Sequence, residues 1–263
     1  MSSLIRVLQL CKPDEIYNLA AQSHVRISFD QPIYTTHSIA TGTLNLLEAV
    51  RLISPKSKIY QASSSEMFGN NIDKDGFQRE TTPMSPVSPY GCAKVYAYNI
   101  CRNYRNAYNM FISNGILFNH ESPRRGTNFV TNKVAKEAVK IKLGLSNELK
   151  LGNLDASRDW GHAEDYTRAM WLILQHNKSD DFVCSTGISH TVKDLVKYVF
   201  NKLDLDWKKY VAVDKRYYRS EELEHLKGDC SKIKNDLGWM PLYTFETMLD
   251  EMIEYWLNNQ NNL

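Results

Sequence analysis

Apolar positions recur along this chain in blocks that switch between helical and strand spacing. Leu4, Val7, Leu8 and Cys11 fall on one stripe and predict a helix over residues 3–11, stopped by Lys12-Pro13. Glu15-Ile-Tyr-Asn-Leu19 then reads as a short buried strand, and Ala20-Ala-Gln-Ser23 as a turn of small residues that lets a ligand approach the backbone. A helix is predicted over 37–53, with Ala40, Leu44, Leu47, Ala49 and Val50 among its apolar positions, and a strand over 57–62. Residues 69–88, rich in Gly, Asp, Asn and Pro, read as a long loop. That loop delivers Tyr90 to the start of a helix reaching about Tyr108. A strand follows from Phe111 to Phe118, then a polar loop from Asn119 to Gly126, and a helix from Phe129 to Leu143 closed by Gly144. Beyond a short extended piece at 150–153 come a helix at 163–176, a strand at 181–185, a helix at 192–203, an irregular charged stretch at 204–229, and helices near 231–237 and 245–258. Strands alternate with helices at crossover spacing, which predicts an α/β fold on a mainly parallel sheet.

The bulk numbers narrow the function. With 263 residues the chain suffices for one large α/β domain or a core with a small lobe. A content of 43% hydrophobic and 24% charged residues is that of an ordinary globular protein, and a net charge of +2 speaks against an extended nucleic-acid surface. No apolar run approaches the ~20 residues that cross a bilayer, and no signal-peptide pattern opens the chain. The five cysteines (11, 92, 101, 184 and 230) form no C-x-x-C pair, so reduced thiols in a cytoplasmic protein are expected, with neither a disulfide framework nor a zinc site. Neither nucleic acid nor membrane is expected as a partner.

The candidate chemistry lies at two stretches. Ser63-Ser64-Ser65-Glu66 ends an apolar strand, and in open α/β sheets the ligand crevice lies just outside the carboxyl ends of the strands. Tyr90 and Lys94 are four apart, hence one turn apart on one helix face. An ammonium beside a phenol is expected to lower the tyrosine's pKa from ~10 and let it take a proton from a sugar hydroxyl. A Tyr-x-x-x-Lys pair alone is common on solvated helices; with a hydroxyl cluster closing the preceding strand it points to short-chain dehydrogenase/reductase chemistry. No Gly-x-Gly-x-x-Gly or Gly-x-x-Gly-x-x-Gly element is present. A dinucleotide fold opens on such a turn, so the sheet is expected to be Rossmann-like but N-terminally truncated, and this chain by itself to hold a dinucleotide weakly.

The chain closely resembles the GDP-mannose 4,6-dehydratase family of extended short-chain dehydrogenase/reductases. The resemblance rests on Glu15-Ile-Tyr-Asn-Leu-Ala-Ala-Gln-Ser-His-Val25, Tyr60-Gln-Ala-Ser-Ser-Ser-Glu66, Ser88-Pro-Tyr-Gly-Cys-Ala-Lys-Val-Tyr-Ala-Tyr98, Asn114-Gly-Ile-Leu-Phe-Asn-His-Glu-Ser-Pro-Arg-Arg-Gly126, Arg158-Asp-Trp-Gly-His162 and Gly228-Asp229. It implies a lyase that converts GDP-mannose to GDP-4-keto-6-deoxymannose with NADP, on the route to GDP-fucose. It implies Ser64 (a threonine in the family), Glu66, Tyr90 and Lys94 as catalytic. Leu19, Ala20, Ala21, Gln22, Ser23, Tyr34, Lys94, His120 and Arg125 would line the cofactor. Asn119, Lys133, Arg158, Arg219 and Glu222 would hold GDP-mannose. Residues 1–118, with 160–185 returning, are expected to form the remaining dinucleotide-binding domain; 119–159 and 186–263 are expected to form a smaller substrate-binding lobe. A homo-oligomer, tetramer or dimer, is implied, in which the loop at 122–128 projects toward a neighbouring subunit's cofactor. The alternative is a truncated, non-catalytic relative that binds the sugar nucleotide or oligomerises.

Overall fold

The structure, a computed structural model, describes residues 1–218, 221 and 223–263. In chain order the helices and strands are α1 (Ser2–Cys11), β1 (Glu15–Asn18), α2 (Val25–Asp30), α3 (Pro32–Thr36), α4 (Gly42–Ile53), β2 (Lys58–Ser64), α5 (Pro89–Tyr108), β3 (Ile112–Leu117), β4 (Asn119–Glu121), α6 (Val130–Lys142), β5 (Leu149–Leu151), β6 (Ser157–His162), α7 (Ala163–Gln175), β7 (Asp181–Cys184), β8 (Ser189–Thr191), α8 (Val192–Lys202), β9 (Val211–Val213), α9 (Ser231–Leu237) and α10 (Phe245–Asn258). Four strands build the main sheet in the order β1-β2-β3-β7, every neighbouring pair parallel. The Rossmann-like, mainly parallel α/β fold expected from the spacing is the fold observed.

Strand periodicity assigns the two faces of this sheet. Ile59 and Ile112 pack with Leu47 and Val50 of α4 and with Cys101 of α5. On the opposite face Tyr60, Leu117 and Phe182, from β2, β3 and β7, pack with Ala169, Ile173 and Leu174 of α7. Both faces are therefore covered, and β2 and β3 are buried along almost their whole length, polar residues included. A separate hydrophobic cluster joins α6, α8 and α10 around Val134, Val199, Met252 and Trp256. A small sheet, β4-β6-β8, lies between these two bodies in sequence: β4 continues directly from β3, and β6 leads directly into α7.

Three departures from the sequence pattern matter for the site. β2 runs two residues beyond the predicted end, so Ser63 and Ser64 belong to the strand itself. Residues 119–121 are a strand, because Asn119, His120 and Glu121 pair in parallel register with Trp160, Gly161 and His162. Residues 25–36 form two short helices, the second continuing through a π-turn at His37–Thr41 into α4. Among the described residues no helix is long and apolar enough to cross a membrane.

Candidate active site

The site begins where β2 ends. Ser64 has extended backbone, and its Oγ accepts the Glu66 N–H at 3.3 Å, which starts a single 3-10 turn at Ser65–Met67. That turn buries Ser64, Ser65 and Glu66 together. Helix α5 is started by Ser88, whose Oγ accepts the Gly91 N–H at 3.0 Å, and by Pro89 in its first turn. A side chain at 91 would place a Cβ 2.8 Å from Pro86 Cβ and 2.9 Å from the Glu66 carbonyl oxygen. The missing side chain in Tyr-Gly-Cys-Ala-Lys therefore lets the start of α5 dock directly against the Glu66 turn. Tyr90 and Lys94, on the inner face, are both buried there.

The electrostatics differ from those expected of a Tyr–Lys pair. The Lys94 Nζ lies 5.7 Å from the Tyr90 ring centre, yet it donates to the Ala62 carbonyl at 2.7 Å. Burial pulls the Lys94 ammonium down to about 8. Burial also pushes the Tyr90 phenol up to about 12, and the nearby Glu66 adds to this; a hydrogen bond with Ser64 and the charge of Arg125 act in the opposite direction. The expected lowering of Tyr90 is thus overturned in this state: desolvation of the phenolate outweighs the cations, and the ammonium is committed to a backbone carbonyl. His120 stacks on Tyr166 at 4.7 Å, and its Nδ1 lies 2.8 Å from the Phe118 carbonyl. A carbonyl only accepts, so Nδ1 carries the proton and Nε2 holds the lone pair. Burial lowers His120 to about 4, which keeps the ring neutral at physiological pH.

A cavity of about 1000 Å³ gathers these groups. Ser64, Glu66, Tyr90 and Lys94 all line it, as do Leu19, Ala21 and Ser23 beyond β1, and Asn119, His120, Arg125, Lys133 and Arg158 from the neighbouring elements. Three residues expected at the cofactor are not among its walls. Ala20 is exposed, and Tyr34, on the short α3, is 60% exposed. The Gln22 amide ties its own turn, donating to Thr35 Oγ1 at 3.0 Å and accepting the His24 N–H. Arg219, Glu222 and the neighbouring Ser220 lie outside the described residues. Arg158 does not pair with Asp159; its Nη1 donates to the Ser157 and Leu223 carbonyls. Arg125 does not project outward but turns back toward Glu121, 3.1 Å away.

The cavity also has walls that the sequence pattern did not single out. Lys136 and Lys140 line it beside Lys133, one and two turns further along α6. Their i, i+3, i+7 spacing was readable as one basic stripe, though nothing in the sequence said what that stripe faces. Arg216, Tyr217 and Gly152 enter from distant segments, with the Lys133 ammonium 3.9 Å from the Tyr217 ring centre. A Cβ at 152 would stand 2.9 Å from the Tyr217 carbonyl oxygen, a close approach that no sequence spacing predicts.

Comparison with known proteins places the chain in a family. Residues 1–252 match the model of the family described as GDP-mannose 4,6 dehydratase. GDP-mannose 4,6 dehydratase 1 of Arabidopsis thaliana is 52% identical over 96% of this chain and 70% of its own length. The human GDP-mannose 4,6 dehydratase is 48% identical over 95% of this chain and 72% of its own. Among solved structures, a UDP-glucose 4-epimerase of Thermotoga maritima, solved with UDP-glucose, superposes with a TM-score of 0.88 at 24% identity, over 98% of this chain and 82% of that one. RMD of Pseudomonas aeruginosa, complexed with NADPH, gives 0.85 at 23% identity over 94% and 82%. Those two likenesses concern the fold; the sequence matches, which cover nearly the whole chain and run through the residues of the cavity, show that this chain belongs to the GDP-mannose 4,6-dehydratase family.

Proposed function

We propose that the cavity carries the chemistry of a GDP-mannose 4,6-dehydratase, a lyase that converts GDP-mannose to GDP-4-keto-6-deoxymannose. The observation that carries this reading is the convergence of a hydroxyl, a carboxylate, a phenol and an ammonium in one cavity whose other walls include Lys133, Lys136, Lys140 and Arg158. Tyr90 would exchange the proton of the sugar O4. A ketone at C4 acidifies the C5 proton, so a single buried carboxylate, Glu66, suffices to remove it. Ser64, already bonded to the Glu66 turn, would hydrogen-bond at O4 or toward the departing water. Lys133 and Arg158 supply cations for the diphosphate, a task suited to a guanidinium.

The walls beyond β1 and around Lys94 suit a nicotinamide dinucleotide. Ala21 and Ser23 are small, and Lys94 presents a buried donor for ribose hydroxyls. When bound, such a cofactor supplies the acceptor and donor of hydride. NADP is the form we assign; the complex of RMD from Pseudomonas aeruginosa with NADPH and the family resemblance support it. Residues 1–118 with 160–185 would serve the cofactor, and 119–159 with 186–263 the sugar nucleotide. A homo-oligomer, tetramer or dimer, in the cytoplasm completes the reading. Supporting it are exposed apolar side chains on α4 and α5 (Leu52, Tyr96 and Tyr108) and five free thiols.

The test is to incubate the chain with GDP-mannose and NADP and to follow the sugar nucleotide by mass spectrometry for loss of one water. Glu66→Gln keeps the shape of the side chain but cannot accept the C5 proton, so product formation should fall by roughly 10²–10⁴-fold, the usual worth of a general base. Dehydration at an unchanged rate in that variant would remove Glu66 from the role. No binding of GDP-mannose in a calorimetric titration would overturn the reading as a whole.

A further inference from the structure

The carbonyl that holds Lys94 is shared with a second side chain. Alternate residues of β2 address β1 and β3: the Lys58 N–H donates to the Asp14 carbonyl and the Ile59 N–H to that of Phe111. By this alternation Ala62 addresses β1. The pairing with β1 ends at Asn18, opposite Gln61, so the Ala62 carbonyl lies one residue past it. Side chains stand in for the missing ladder. The Lys94 Nζ donates to this oxygen at 2.7 Å, and the Gln61 Nε2 donates to it at 3.2 Å. Gln61 is buried, and its amide is fixed at the other end. Its Oε1 accepts the Asn18 Nδ2 at 2.7 Å and the Thr43 hydroxyl at 3.5 Å, which leaves Nε2 as the end that meets Ala62. Residues of β1, β2, α4 and α5 thus meet around one carbonyl oxygen.

The surroundings of Lys94 give that oxygen its weight. The titratable groups that face the ammonium are Tyr90 and Cys101 of its own helix and His120 of β4. Burial pushes the phenol and the thiol up to about 12 and pulls the imidazole down to about 4, so all three are neutral at pH 7. The group that holds the ammonium is therefore a carbonyl dipole. A second donor on that oxygen draws on the same lone pairs and sets a partial positive charge beside the ammonium.

We infer that Gln61 is a positioning residue for Lys94: by sharing the Ala62 carbonyl, its amide keeps the ammonium from binding that oxygen at full strength and leaves it able to pass to a ligand hydroxyl. When Lys94 turns to its ligand, the amide stays behind on the carbonyl, and no buried acceptor is left bare. That the ligand is a nicotinamide ribose rests on the dehydratase reading; the shared carbonyl does not.

The experiment is a pH titration followed by NMR on the ligand-free chain, with nitrogen-15 at the lysine Nζ and the glutamine side-chain amides. Lys94→Met assigns the Lys94 signal, and Gln61→Met that of Gln61. In the unmodified sequence the Gln61 amide signal should move with the same midpoint as Lys94, because an ammonium that loses its proton yields the shared oxygen to the amide. Gln61→Met keeps the length of the side chain and removes the donor. In that variant the proton affinity of Lys94 should rise roughly three- to tenfold, the worth of one neutral hydrogen bond. An unchanged affinity would overturn the inference. A lowered one would do so as well, since it would make Gln61 a support of the ammonium and not a competitor. If the variant does not fold, the unmodified chain still decides: a Gln61 amide indifferent to the titration of Lys94 would sink the assignment. Neither readout uses GDP-mannose or NADP, so failure of the dehydratase reading and failure of the Gln61 assignment give different results.

Discussion

Lys94 shows how far a single residue departs from its ordinary chemistry here. Its ammonium sits in the interior at 3% exposure, with the Ala62 carbonyl as its hydrogen-bond acceptor. Its folded pKa, about 8, lies below the ordinary lysine value. Between the two values the unfolded chain therefore binds more protons than the folded one, and stability rises with pH through that window. Below it, the charged lysine is a standing cost to the fold. Lys94→Met should accordingly raise the melting temperature at pH 7, by roughly 2–3 kcal/mol of stability, and the gain should shrink as pH climbs toward 10. A melting curve for each protein at several pH values checks this; a destabilised variant at pH 7 would mean that the bond to Ala62 outweighs desolvation. The neighbouring Tyr90 points the same way, since burial keeps it a neutral phenol in the ligand-free state. The spacing of Tyr90 and Lys94 was legible in the sequence. The direction of the tyrosine's shift was not, because desolvation depends on everything packed around the ring.

At the scale of elements, the site depends on how closely the start of α5 approaches the turn after β2. Gly91 decides that distance: an added Cβ would meet Pro86 and the Glu66 backbone inside 3.0 Å. Gly91→Ala should cost about 1–3 kcal/mol, the usual range for overpacking, and should displace Tyr90 from Ser64. Denaturant unfolding reads the first effect. The second should appear as a loss of turnover larger than any loss of GDP-mannose affinity, because the helix carries Tyr90 and Lys94, the groups proposed to react, while the basic stripe lies on α6. The short strand β4 was the hardest element to foresee. Asn119-His120-Glu121 has no apolar alternation, and it is extended only because Trp160, Gly161 and His162 offer a parallel partner from forty residues away. Strand formation in such a segment belongs to the pairing and not to the residues.

At the scale of the molecule, Asp159 joins three segments distant in sequence. Its two oxygens accept the N–H and hydroxyl of Thr186, the Gly187 N–H and, at 3.4 Å, the Gly228 N–H, and the side chain is fully buried. Burial holds its carboxyl at about 6, above the ordinary aspartate range. Asp159→Ala leaves these buried donors without acceptors and should destabilise the chain by about 2–4 kcal/mol. A thermal melt measures the loss. Limited proteolysis should show the same event as cleavage near 186–188 and 228, where the released segments meet. Unchanged melting would mean that water replaces the carboxylate.

The sequence by itself determined the alternation of elements, the parallel sheet, and the placing of Ser64 and Glu66 at the rim of one strand with Tyr90 and Lys94 on one face of the next helix. These are local properties: apolar period, caps, and the direction in which consecutive side chains point. Only the tertiary structure decided that Arg125 turns in toward Glu121 while Arg124 turns out, and that Arg158 binds two backbone carbonyls while its neighbour Asp159 binds a distant loop. It also decided that Tyr34 stands away from the cavity that Gly152 and Tyr217 help to close. Charge partners and close approaches are made between segments brought together by packing, and the spacing of residues along a chain carries no record of which distant segment will arrive.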